Sequence, residues 1–406
     1  MSNKKDEIVV GLDLGTTKVC TVVAEHTASG ELCILGVGSA ACSGVKQGMV
    51  VSIEETVAAI TKAVEEAEGM SGVDIHSVVV GISGSHLRGL NNQNTIGVKG
   101  ATVTEDDIAN VLDAARAVDL SRDEEIVHVA AQRYVLDQQE TIASPVGMAG
   151  DRLSVDAHVI VGAGTALQNL LRCIDGAGLS LDAIIPQPLA SAHAVLSQEE
   201  LELGVALVDI GGGTTDLAIY AGGSVCHTWV LPLGGTHVTR DISYGLSTPM
   251  KDAERIKIQH GSALVNQVDA DAMIEVPSVG GRPPRDVPRL LLAEITEARM
   301  EEILDLVGQE IQRTGLRRHI GSGVVITGGG SLPPGTVELA NLATGLIARR
   351  GVPVGLTGLT DLAATAQNAT AVGLARMALT EVARAGAGQA GPKGLARLTS
   401  WVKEFF

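Results

Sequence analysis

Three glycine turns carry residues suited to chemistry. Gly15-Thr16-Thr17-Lys18 follows the apolar run Ile8–Leu14, and Gly211-Gly212-Gly213-Thr214-Thr215 follows Val205–Ile210. A glycine-rich turn lets several backbone N–H groups converge on one anion, because no Cβ stands in the way. The threonine hydroxyls are further donors, and Lys18 brings a charge suited to a β- or γ-phosphate. Asp13 and Asp209 end the preceding strands, where a carboxylate can hold Mg²⁺ directly or through water. Magnesium usually keeps several waters and takes few carboxylates. The third turn, Gly328-Gly329-Gly330, ends the strand-like stretch that starts at Gly323. Aligned on Asp13 and Asp209, the first two turns look like copies of one unit, with the second turn one residue longer. Opposed across a cleft, they would clamp a triphosphate from both sides. No G-x-x-x-x-G-K-[ST] run is present, so this is not a P-loop. No G-x-G-x-x-G follows the first strand, which disfavours a Rossmann site.

The elements that must position these turns alternate between strand and helix, the pattern of an α/β architecture. Ile8–Leu14 and Lys18–Glu25 form a β-hairpin, and Val205–Ile210 with Asp216–Tyr220 form a second. Ile53–Ala67 is expected to be a helix and Ser77–Ile82 a buried strand. Residues 84–161 have a different texture. Thr104-Glu105-Asp106-Asp107 resembles a capping box opening a helix through Val118, and strand-like stretches flank it at His128–Leu136 and Leu153–Val161. This is expected to be a small inserted α+β subdomain. A second insertion, residues 235–319, carries helices near Asp252–His260 and Leu291–Gly315, with a looped piece at Pro277–Pro288 between them. Arg384–Pro392 has too little apolar surface to pack and is expected to be a flexible linker.

The 406 residues, with 30 Lys+Arg against 47 Asp+Glu, have a net charge of −17. That acidity argues against nucleic acid as a partner, since phosphate binding needs a positive footprint. Five cysteines at irregular spacings, with no C-x-x-C pair, exclude a disulfide scaffold or thiolate zinc site and fit a reducing compartment. The N-terminus has only a strand-length apolar run, so no signal peptide is expected, and no apolar stretch is long enough to span a bilayer. A cytoplasmic protein is expected. Aromatic residues are scarce, yet Trp401, Phe405 and Phe406 crowd into the last six positions. At 100° per residue, Leu395, Leu398, Trp401, Val402, Phe405 and Phe406 fall within an arc of about 140°. A helix over Lys393–Phe406 would be about 21 Å long, too short to cross a bilayer. It suits an interfacial anchor, with its lysines toward anionic lipid.

The two D-x-G-x-T hairpins and V-V-I-T-G-G-G-S resemble the phosphate and adenosine motifs of the actin-like, heat-shock-chaperone and sugar-kinase ATPase superfamily. More narrowly, the chain resembles the FtsA family of bacterial cell-division proteins. Arg133-Tyr134-x-Leu136-Asp137, Pro145-Val146-Gly147-Met148-x-Gly150-x-Arg152-Leu153 and Pro188-Leu189-Ala190-Ser191-Ala192 carry that match, with Leu233-Gly234-Gly235-x-His237-Val238-Thr239-x-Asp241 and Ala253-Glu254-x-Ile256-Lys257. The resemblance implies an actin-like ATPase fold, with duplicated ribonuclease-H-like domains around a nucleotide cleft. Subdomain IA would comprise 1–83 and 162–196, completed by about 359–383. IC would be 84–161, IIA 197–234 with 320–358, and IIB 235–319. The first and second turns would cradle the phosphates of ATP with Mg²⁺, Gly234 and Gly235 would join them, Glu254 and Lys257 would lie beside ribose and base, and Gly328–Gly330 would support the adenosine.

Where more active relatives tend to carry a glutamate, this chain has Gln187, whose amide can orient water but cannot act as a base. His193 is an alternative water-positioner, and hydrolysis is expected to be slow. The resemblance further implies a filament of this chain on the cytoplasmic side of the cell membrane at the division site. It would bind the C-terminal peptide of FtsZ and recruit later division proteins. Arg299, at the head of the helical stretch Met300–Gln312, is the candidate contact for that acidic peptide. Two other readings share the fold: an adaptor of type IV pilus assembly, and a small-molecule kinase.

Overall fold

A computed structural model describes residues 8–27, 31–142 and 144–386. β1 (Val9–Leu14) and β2 (Lys18–His26) form an antiparallel hairpin, and β3 (Leu32–Ala41) continues the meander. After a short ribbon of β4 (Val45–Lys46) and β5 (Met49–Val50) comes α1 (Ile53–Ser71). The Ser52 hydroxyl caps it by accepting from the Glu55 N–H, and Ala59, Ile60, Ala63, Val64 and Ala67 give it one buried face. β6 (Ser77–Ile82) then pairs parallel to β1.

The insertion follows at once: β7 (Arg88–Gly97), α2 (Glu105–Ala115), β8 (Glu124–Leu136), β9 (Gln139–Ile142) and β10 (Arg152–Ala163). Its antiparallel sheet runs β7-β10-β8-β9 and has its own core around Val111, Leu153 and Val155. The Thr104–Asp107 capping box forms, though α2 stops at Ala115 instead of Val118. β7 is absent from the sequence reading because its sequence, RGLNNQNTIG, is polar. Its asparagines bond outward to backbone instead, Asn92 to Ala115 O and Asn94 to Ala114 O.

The chain returns through α3 (Gly164–Gly176), β11 (Ser180–Pro186), α4 (Gln187–Val195) and α5 (Gln198–Leu203). A second meander follows: β12 (Val205–Ile210), β13 (Thr215–Ala221) and β14 (Ser224–Leu231). α6 (Gly235–Gly245), α7 (Met250–His260), the ribbon β15 (Met273–Val276) with β16 (Arg285–Pro288), and α8 (Arg289–Arg313) form the second excursion. Arg285–Pro288, expected to be looped, is a strand: β15 supplies a partner, and prolines are tolerated on an isolated ribbon edge. β17 (Val324–Thr327), α9 (Thr336–Thr344), β18 (Ala348–Arg350), β19 (Leu356–Gly358), α10 (Thr360–Ala363) and α11 (Ala369–Gly386) complete the described chain. α11 includes Arg384, Ala385 and Gly386, the first three residues of the expected linker; Lys393–Phe406 lies outside the described residues.

The two large sheets run β11-β6-β1-β2-β3-β19 and β14-β13-β12-β17-β18. Apart from β19, the strand order is the same in both. Each has a three-stranded antiparallel meander, with two further strands joined parallel beside its first strand. The turns of the two hairpins are also equal in length, correcting the expected one-residue difference. Asp13 pairs with Cys20 as Asp209 pairs with Asp216, and the Gly15 N–H bonds Lys18 O as the Gly211 N–H bonds Thr214 O. α4 and α11 pack between the sheets in one core with Val22, Leu189, Leu207 and Leu374. Gly373 permits their close approach, because a Cβ there would strike the Ala190 carbonyl. The scarcity of aromatics thus has a local use: small residues bring helices near enough to fix strand ends on both sides of one cleft.

Candidate functional site

A cavity of about 440 Å³ opens between the two halves. Gly15, Thr16, Thr17 and Lys18 line it from one hairpin and Gly211, Gly212, Gly213 and Thr214 from the other. The turns meet as a pseudo-symmetric pair. A Cβ on Gly212 would lie 2.6 Å from Thr17, and one on Gly213 would collide with Thr16. The glycines are therefore needed for contact between the loops as well as for open N–H groups.

Three buried carboxylates stand behind the turns: Asp13, Asp209 and Asp216, each under a tenth exposed. Gln187 Nε2 donates to Asp13 Oδ1 at 2.9 Å. Ser191 and Thr370 donate to Asp209 Oδ2 at 2.6 and 3.2 Å, and Ser83 donates to Asp216 Oδ1 at 2.5 Å. Burial pushes the Asp13 carboxyl up to about 7; Lys18 opposes this and Asp209 adds to it. Asp216 is likewise pushed up to about 7 by burial, against the Ser83 hydrogen bond and with repulsion from Asp209 and Asp13. Asp209 is raised for the same first reason. Such a cluster favours either protons or a cation. Among the described residues no group of three His, Cys, Asp or Glu can hold a metal alone. The donor set therefore fits an ion that keeps most of its waters, as Mg²⁺ does.

The opposite end is built from α6, α7 and α8. Lys257 Nζ donates to Glu254 Oε2 at 2.8 Å, to Thr239 Oγ1 at 2.9 Å and to Gly235 O at 3.1 Å, and Thr239 also bonds Glu254. Ile258, Met300, Leu332 and Pro333 give this end an apolar wall. Gly328, Gly329 and Gly330 line the side between. The arrangement offers backbone N–H groups and buried carboxylates at one end, and a polar pair beside an apolar slot at the other.

Not every expected residue reaches the cavity. Thr215 is buried in β13 and donates to Leu233 O at 2.9 Å; Gly234 precedes α6, its N–H bonded to His237 Nδ1 at 3.1 Å. Neither lines the cavity. His193 does not line it either and is exposed. Gln187 opens α4, and six residues at 100° each turn His193 to another face of the helix, about 9 Å further on. Arg299 lies inside α8 instead of heading a helix, and donates to Asp241 Oδ2 at 2.6 Å and to Glu302. Leu395, Leu398, Trp401, Val402, Phe405 and Phe406 lie outside the described residues.

Asp216, Ser83, Ser191 and Thr370 were not anticipated. Asp216 had a visible signal, since it closes the T-T-D stretch of the second hairpin. The others reach the site only through long-range packing.

Residues 206–373 match the family described as Cell division protein FtsA, and residues 84–161 match the SHS2 domain inserted in FTSA. The Cell division protein FtsA of Pseudomonas aeruginosa is 46% identical over 373 residues, 92% of this chain and 89% of that protein. The chain belongs to the FtsA family. Among solved structures, a chain of the PilM–PilN type IV pilus biogenesis complex matches with a TM-score of 0.65 at 17% identity, covering 90% of this chain and 97% of that one. MreB5 of Spiroplasma citri bound to ADP matches with a TM-score of 0.57 at 14% identity, covering 95% and 99%. At these identities the likeness is one of fold: the actin-like ATPase fold, which this FtsA-family chain carries with an SHS2 insertion. The chain from the pilus biogenesis complex shares that fold, but the sequence relationship lies with the FtsA family.

Proposed function

We propose that this FtsA-family chain binds Mg·ATP in the cleft and polymerises on the cytoplasmic face of the cell membrane at the division site. There it tethers FtsZ filaments through the FtsZ C-terminal peptide and recruits later division proteins. The observation that carries the nucleotide part is the meeting of two equal hairpin turns in front of three buried carboxylates, with a polar pair and apolar slot at the far end. When bound, Mg·ATP supplies the phosphate charge and the cation that this cluster is built to meet. Backbone N–H groups of the two turns would bind the phosphates, and Asp13 and Asp209 would hold the cation through its water. Glu254 and Lys257 would face the ribose, and Ile258 and Met300 would cover the base. Gln187 already spends an N–H on Asp13, and its amide cannot take a proton from water, so hydrolysis is slow. On this reading 84–161 is subdomain IC, 235–319 is IIB, and the six- and five-stranded sheets are the cores of IA and IIA.

The membrane part rests on the amphipathic pattern of Lys393–Phe406. A single short anchor binds reversibly, and linking many in a filament multiplies the effective affinity. Among the described residues no helix is long and apolar enough to cross a membrane. The test is liposome co-sedimentation of the full chain and of a truncation ending at Pro392, each with and without Mg·ATP and with a lipid-free control. Pelleting of the full chain alone, strengthened by ATP, is the expected result. Equal lipid-dependent pelleting of both forms, after subtraction of the lipid-free control, or lipid-dependent pelleting of neither, refutes the tail as anchor.

A further inference from the structure

Lys18 is held from behind. Its ammonium donates to Asn368 Oδ1 at 2.6 Å, the one side-chain hydrogen bond of Lys18 among the described residues. Asn368 is buried, at 6% exposure, and ends the single 3-10 turn Ala366–Asn368 that leads into α11. Its other end is committed as well, because Nδ2 donates to the Leu362 carbonyl at 2.8 Å. A carbonyl only accepts, so the amide cannot be flipped and Oδ1 must face the lysine. The Cys20 thiol donates to the same oxygen at 3.5 Å. Two residues on, Thr370 donates to Asp209 at 3.2 Å. The head of α11 therefore holds both a cation and an anion of the cavity, and the close seat of Gly373 on α4 keeps that head from drifting.

We propose that Asn368 is a positioning residue for Lys18, orienting its ammonium so that the two remaining N–H donors face the phosphate seat between the hairpin turns. This rests on the nucleotide reading above. A free lysine side chain has about 2 kcal/mol of rotamer entropy to lose when it engages a ligand. A neutral amide restrains it before the ligand arrives and leaves its charge intact; a carboxylate in that place would cancel the charge. The residue thereby acts on the phosphate end of a nucleotide and is silent toward the nucleoside. Nothing in the sequence signals the contact, since 350 positions separate the two residues.

The test uses the full chain, Asn368→Leu, Lys18→Ala and the double variant. Affinities for Mg·ADP and for adenosine are measured by calorimetry, and Lys18 acetylation by acetic anhydride is followed by mass spectrometry without nucleotide. Hydrogen bonds to charged groups set the scale, so Asn368→Leu should weaken Mg·ADP by about tenfold or more. Adenosine binding should stay within about twofold, and the loss should vanish in the Lys18→Ala background. Lys18 should acetylate several-fold faster in Asn368→Leu. Asn368→Asp, of nearly the same shape, should slow that acetylation and also weaken Mg·ADP. An equal loss in both backgrounds, or Lys18 labelling unchanged by either Asn368 variant, overturns the proposal. If no form binds nucleotide while the labelling shifts as described, the nucleotide reading fails and the tether stands.

Discussion

Replacing Asp216 by asparagine should stabilise the nucleotide-free protein at alkaline pH, by an amount that the structure sets. Asp216 is 3% exposed and burial pushes its carboxyl from 3.8 up to about 7. Between those values the native state keeps a proton that the unfolded chain has released. Stability therefore falls as pH rises through this window, and the loss is complete above about 7. A displacement of about three pH units corresponds to on the order of 4 kcal/mol at pH 8 and nearly nothing at pH 4. Asparagine keeps the shape and still accepts from Ser83, while its amide N–H₂ can donate to Thr214, whose hydroxyl now donates to Asp216 at 3.3 Å. It also ends the repulsion that Asp209 and Asp13 exert on the ionised Asp216. The assay is urea unfolding followed by far-UV circular dichroism at pH 5 and pH 8, with chelator and without nucleotide. The wild type should lose stability between the two pH values, and Asp216→Asn should lose distinctly less. Mg·ADP affinity should drop in the same variant, because a charge meant for the cation is gone. Parallel pH dependences, or an Asp216→Asn protein less stable than wild type at pH 8, would refute the assignment of a destabilising buried carboxylate.

Three further outcomes follow from the same geometry. Gly213→Ala should weaken Mg·ADP at least tenfold and lower stability by about 1–3 kcal/mol, the usual cost of overpacking, because the new methyl meets Thr16; calorimetry and thermal melts read both. Gln187→Glu puts a potential base where the amide now donates to Asp13, so phosphate release should rise about a hundredfold, the lower end for a positioned general base. Arg299→Ala should cost about 1 kcal/mol by freeing Asp241 and Glu302. Since those carboxylates already occupy its guanidinium, FtsZ-peptide affinity by fluorescence anisotropy should change less than about twofold.

The hairpins, their glycine turns, the buried strand Ser77–Ile82 and the capping box at Thr104 were legible in the chain itself, because each is written in adjacent residues. Backbone N–H accessibility, helix capping and strand alternation are local properties and need no partner to be recognised. The hairpin end of the cavity follows from them, as does the duplication. Other features depended on the partner that packing supplies. β7 is polar in sequence and becomes a strand only because β10 pairs with it from Arg88 to Gly97. Arg285–Pro288 becomes a strand only beside Met273–Val276. The equality of the two turns emerged from strand register, which alignment on Asp13 and Asp209 by sequence alone does not reveal. His193 left the site through helical rotation alone, and Arg299 was taken by carboxylates whose approach no spacing announces. Ser83 against Asp216, and Asn368 against Lys18, join residues 133 and 350 positions apart. Such pairs are chosen by how α4, α11 and the two sheets dock. That docking depends on where small residues let backbones touch across the whole molecule, so the tertiary structure alone decides which buried polar groups share a partner.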